Sequence, residues 1–176
     1  TIVDAGEINA GNKADLPNLR QMYDEYAKRD AAISNLPLVL SRGLTAYLVD
    51  FPHYCTEQIL SRAMPALVFG QRPEFKALLK ASTDTNDFSE TDALSALFDT
   101  LHSRQNSKGG FGVWEATPDA DAFLSNYAMH FMLEARDRGQ SVPQDMFDAG
   151  NNYLRQIAAS EGDDSLASLR PRAYAI

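Results

Sequence analysis

Phe51-Pro-His-Tyr-Cys55-Thr-Glu-Gln58-Ile-Leu60 is the stretch around which the rest of the chain can be arranged. Pro52 cannot continue a preceding helix, and a helical apolar pattern begins at Ile59, so the segment reads as a loop-to-helix junction. It holds the only cysteine of 176 residues, three positions before a glutamine. Side chains spaced i, i+3 over the first turn of a helix share a face and can touch. If the sulfur attacks the Gln58 carbonyl carbon and ammonia leaves, the two side chains become an internal thioester. Such a bond is a stored, single-use acylating agent. The duller reading is that Cys55 is an inert, small buried hydrophobe, as free cysteine often is.

Outward from this junction the chain alternates helix and turn. Upstream, Ser34-Asn-Leu-Pro37 combines a polar cap with a proline near the first helical position. Leu40, Leu44, Tyr47 and Leu48 then lie on one stripe. Downstream, Ile59, Leu60, Ala63, Met64, Leu67 and Val68 make a helix apolar nearly all round, the mark of an interior helix. Pro65 should kink or weaken it, and Gly70 should stop it. Pro73 to Ala81 reads as a short helix, 82–89 as a polar loop. Leu94, Leu97, Phe98 and Leu101 define an amphipathic helix ending about Arg104. Gln105 to Trp114 is a glycine-rich turn with two large aromatics. Thr117-Pro118-Asp119 should open the next interior helix, with Phe123, Leu124, Tyr127, Ala128, Phe131 and Met132 facing inward. Ser141-Val-Pro143 should open another, through Met146, Phe147, Tyr153, Leu154 and Ile157, closing at Gly162.

Broad and narrow apolar faces therefore alternate along the helices. Broad faces suit an inner layer and narrow faces an outer one, the pattern of paired α-hairpins in a barrel. The fold expected is all-α, part of an α/α toroid, over residues 37–176. Residues 1–36 read as a lead-in from a preceding domain or linker, with Thr1-Ile-Val3 a short strand and Leu19, Met22, Tyr23 and Tyr26 a short helix. The chain opens without Met, and Pro171 looks like the start of a helix that is then cut off. Both ends read as those of an excised piece.

Composition narrows the choice. A length of 176 suits one domain, and 44% hydrophobic against 23% charged residues supports a packed core over general disorder. A net charge of −8 argues against a nucleic-acid surface. One cysteine cannot form an intrachain disulfide, and no apolar run approaches the ~20 residues of a membrane span.

The extended pattern Tyr47-Leu-x-x-Phe51-Pro52-x-x-Cys55-Thr56-Glu57-Gln58-x-x-Ser61-Arg62 resembles the thioester signature of the alpha-2-macroglobulin and complement family, especially its bacterial members. Gly109-Gly-Phe-Gly112-x-Trp114 falls where the family's toroid has a similar turn, and the resemblance runs from about Pro37 to the end. It implies a thioester domain within a much larger protease-trapping inhibitor, not an enzyme. Cys55 and Gln58 would form the bridge, with Glu57 as an accompanying signature position. Target proteases would be captured covalently through their amines, and other domains of the parent chain would be partners. The implied setting is the periplasm of a bacterium, with the parent a lipoprotein anchored to the inner membrane.

The residue chemistry fits. Amide N–H groups and the helix dipole at the Cys55 turn favour a thiolate. Glu57 could polarise the linkage or merely complement the dipole. A stored thioester needs a dry shell, for which Phe51, Tyr54, Phe111, Trp114 and Tyr127 are candidates, each also readable as ordinary core. Complement-like members place a histidine where this chain has Met146, so an amine preference is expected, and Met146 joins the shell. His102 reads as a solvated helix-end residue, His130 as partly buried, and Arg42 and Arg62 as surface or cap arginines. No zinc spacing, phosphate loop or other cofactor motif appears. The competing functions are a helical interaction domain with an inert cysteine and a lipid-type toroid enzyme. The latter lacks an Asp-rich or His/Cys/Asp zinc set.

Overall fold

In a computed structural model the chain divides into two compact units, Thr1–Leu44 and Thr45–Ile176. The structure describes residues 8–13, 15, 33, 48, 53–70, 90–162 and 165–176, with the backbone alone at 90–92. In the first unit, Ile8 to Lys13 is an exposed segment with a turn at Ala10 and Gly11. The expected strand at Thr1–Val3, the lead-in helix, most of the helix after Pro37, Phe51, and the helix and loop of 73–89 lie outside the described residues.

The described part of the second unit contains α1 (Thr56–Phe69), α2 (Glu90–Arg104), α3 (Ala122–Asp137), α4 (Gln144–Ala159) and α5 (Leu166–Tyr174). No strand occurs among the described residues; the nearest thing is one isolated bridge, Gln105 to Phe111. The all-α class is thus what the structure has. α1 packs on α2 and α3, α3 on α4 and α5, and α4 on α5. Their shared core holds Leu60 and Leu67 from α1, Phe98 and Leu101 from α2, Ala128, Met129, Phe131, Met132 and Ala135 from α3, and Met146 from α4. Phe98 and Phe131 meet edge to face at 6.3 Å between ring centroids, a favoured aromatic geometry.

Several helix limits differ from the sequence reading. α3 begins at Ala122 rather than beside Pro118. Asp121 accepts a hydrogen bond from the Leu124 N–H at 2.8 Å and so supplies the cap, while the Thr117 hydroxyl closes a turn onto the Asp119 carbonyl. Pro171 does not open the last helix. Ser165 caps it six residues earlier, accepting from the Ser168 N–H, and Pro171 sits inside. α4 ends at Ala159, before Gly162. Pro65 does not interrupt α1.

Phe123, expected inside, is 57% exposed. The buried stripe of α3 runs through 124, 128, 131, 132 and 135; Phe123 flanks it and meets the rings of Tyr127 and Tyr174 instead. His130 is exposed rather than partly buried, with its Nδ1 3.0 Å from the Tyr174 hydroxyl. No described helix is long and apolar enough to cross a membrane.

Candidate functional site

Cys55 is the N-cap of α1, with extended backbone (φ −65°, ψ 163°), and is half-buried. Gln58 is the third residue of that helix. The Gln58 side-chain oxygen accepts the Cys55 N–H at 3.4 Å, and the Cys55 side chain faces the Gln58 N–H. This is a capping box with cysteine in place of serine or threonine. The spacing that allows sulfur to reach the carboxamide is also the spacing that caps the helix. Both side chains consequently fold over the same first turn.

The turn is clamped to the glycine-rich loop. Thr56, fully buried, donates its backbone N–H to the Val113 carbonyl at 2.9 Å and its hydroxyl to the Gly112 carbonyl at 2.6 Å. Arg104 at the end of α2 donates from one nitrogen to the Thr56 hydroxyl (3.2 Å) and from the other to the Tyr54 carbonyl (2.9 Å). Burial pulls the Arg104 guanidinium below its ordinary value, and attraction to Cys55 opposes that shift. Neither Arg104 nor Thr56 stands out in the sequence. A charged residue at a helix end normally reads as solvated, and only the fold shows that this one points inward.

The loop itself is fully organised. Gly109 has φ +92°, and a Cβ there would collide with the Ala149 carbonyl; a Cβ on Gly112 would strike the Glu115 carbonyl. Asn106 accepts from the N–H groups of Lys108 and Gly110 and donates to the Thr117 carbonyl. Gln105 bridges the carbonyls of Gly109 and Met146. Asparagine just ahead of paired glycines was the available signal for this turn. Phe111 is thereby pushed to zero exposure, its N–H bonded to the Ser125 hydroxyl.

The candidate shell residues divide into two groups. Phe111 and Met146 are fully buried in the core that Leu60 of α1 enters. Tyr54 and Trp114 are each 57% exposed and stand beside the Cys55 turn and its loop. Tyr127 is half-buried, its hydroxyl 3.1 Å from that of Ser61. Arg62 lies 5.3 Å over the Tyr54 ring, an exposed-face cation–π contact. Glu57 is exposed and accepts from the Ser61 hydroxyl at 3.3 Å, on the helix flank. His102 lies 3.6 Å from Asp145 at the surface. Among the described residues no cluster of His, Cys, Asp and Glu could hold a metal.

No protein-family model matches the chain. Its fold is shared with alpha-2-macroglobulins of bacteria. The native Escherichia coli protein, solved from domain MG7 to the C-terminus, superposes with a TM-score of 0.63 at 24% identity, over 76% of this chain and 22% of that one. Salmonella alpha-2-macroglobulin reacted with methylamine gives 0.60 at 24% identity, over 75% of this chain and 9% of that one. In sequence, an alpha-2-macroglobulin homolog of Yersinia pestis is 45% identical over 94% of this chain. The chain belongs to the alpha-2-macroglobulin family, a family of protease-trapping inhibitors. It spans about 8% of the length of the Yersinia relative.

Proposed function

We propose that this chain is the thioester-bearing segment of a broad-spectrum protease trap, with the bond joining the Cys55 sulfur to the Gln58 acyl carbon. The observation that carries the reading is the folding of both side chains over one half-exposed helix turn, with Gln58 returned onto the Cys55 N–H at 3.4 Å. Helix N-terminal amides there favour negative charge on a departing sulfur. A protease cutting elsewhere in the parent protein brings its surface lysines to this turn. An amine then attacks the Gln58 acyl carbon, an amide forms, and the Cys55 thiol is freed. Tethering supplies the effective concentration that lets capture outrun hydrolysis. The methylamine-reacted Salmonella neighbour supports an amine as the nucleophile.

In this reading Phe111 and Met146 form the dry floor under the turn, and Tyr54 and Trp114 its outer rim. Glu57 complements the helix dipole. The whole protein works in the bacterial periplasm, held to the inner membrane as a lipoprotein by a part outside this chain. The test is covalent capture: incubation of the full-length protein with trypsin should give a conjugate that survives boiling in detergent. Prior methylamine treatment or C55S should abolish it. A conjugate formed equally well by C55S would overturn the reading.

A further inference from the structure

Arg104 is 8% exposed, yet among the described residues no carboxylate pairs with it. A guanidinium buried without a counter-ion is unfavourable unless its hydrogen bonds and charge are used locally. Its bonds go to the residues on either side of Cys55: the Tyr54 carbonyl at 2.9 Å and the Thr56 hydroxyl at 3.2 Å, with the Val113 carbonyl at 3.4 Å. A planar fork with fixed donors can hold two such groups in one geometry, which a lysine cannot. Cys55 therefore sits between two groups, the Tyr54 carbonyl and the Thr56 hydroxyl, that one side chain fixes. Arg62 does not share this role, because it lies on the outer face over the Tyr54 ring.

We propose that Arg104 is the positioning residue of the Cys55–Gln58 pair, holding both flanks of Cys55 and keeping a permanent positive charge near the sulfur that departs. The inference rests on the thioester reading above. In the step concerned, the amine lone pair forms a C–N bond to the Gln58 acyl carbon. The C–S bond breaks, its electron pair stays on the Cys55 sulfur, and the surplus amine proton passes to solvent. Arg104 neither gives nor takes a proton; it holds the geometry in which the sulfur departs.

The test compares wild type, R104K and R104M in the full-length protein. Circular dichroism and a thermal melt first show which variants fold. Two rates are then read: thiol release by methylamine, and alkylation of the Cys55 thiol by iodoacetamide after methylamine treatment. Both should fall about tenfold in R104M, with R104K intermediate, as expected when the positive charge and the donor fork beside the reacting turn are removed. A merely structural Arg104 would lower the melting temperature while leaving both rates unchanged, or would speed release by loosening the turn. Rates in R104M equal to or above wild type, or R104K no faster than R104M, would overturn the proposal. The alkylation rate is readable whether or not a thioester forms. A wild type that releases no thiol on methylamine treatment, with alkylation still slowed in R104M, would remove the thioester reading but leave the Arg104–sulfur interaction standing.

Discussion

Thr56→Val probes how firmly the reactive turn is docked. Valine keeps the shape of threonine and puts a methyl group where the hydroxyl was. That hydroxyl donates to the Gly112 carbonyl at 2.6 Å and accepts from Arg104 at 3.2 Å, at a residue with zero exposure. Leaving a buried carbonyl unpaired costs ~1–3 kcal/mol, and a bond to a charged donor contributes ~1.5–3 kcal/mol. The two effects share one atom and do not add fully, and Arg104 keeps its bonds to Tyr54 and Val113. A net loss of ~2–3 kcal/mol follows. The parent is expected to be multidomain, so a global melt would blur this local change. Amide hydrogen exchange reads it directly. The Thr56 N–H, bonded to the Val113 carbonyl at 2.9 Å, should exchange about 30- to 150-fold faster in T56V, at about 1.4 kcal/mol per factor of ten. T56S, which keeps the hydroxyl and loses one methyl, should stay within about fivefold of wild type. Exchange in T56V within twofold of wild type, by that same conversion, would show that the hydroxyl does not dock the turn.

Cys55→Ser should separate capping from chemistry: serine is a preferred N-cap, so melting should hold steady or rise slightly while all methylamine sensitivity disappears. Gly109→Ala places a Cβ against the Ala149 carbonyl at a positive φ; a loss of at least ~2 kcal/mol is expected, measured by urea unfolding or by exchange in residues 105–112. Burial is the first cause holding the Tyr153 and Tyr174 hydroxyls above their ordinary value of 10.0, helped by Asp121 and Asp119 for Tyr153 and by Tyr127 for Tyr174. The folded state therefore retains protons that the unfolded chain releases. Stability should decline as pH rises past 10.0, and Y153F should flatten that decline in alkaline denaturation curves. Methylamine should outpace glycerol in adduct yield on the full-length protein; faster ester formation would refute the amine preference read from Met146.

Helical periodicity carried most of the fold, because the stripes of α2, α3 and α4 are long enough to be read from apolar spacing alone. Helix starts were harder. Pro118 and Pro171 are strong local signals, yet Asp121 and Ser165 supply the caps. A hydrogen bond between side chain and backbone outweighs a fixed φ when both compete for the same few residues. The reactive pair was readable because its two members are neighbours in sequence. Thr56, Arg104 and Gln105 were not, since their roles depend on contacts between α1, the end of α2, the loop before α3 and α4. Trp114 shows the same limit from the other side: its type suggests core, while its place at the loop tip leaves it 57% exposed.

Intact mass spectrometry of the full-length protein decides whether the bond exists. With the thioester in place, the mass lies about 17 Da below that calculated from sequence, from loss of ammonia, and Cys55 resists alkylation until methylamine frees one thiol. A mass equal to the sequence value, with Cys55 alkylated at once and unaffected by methylamine, would contradict it.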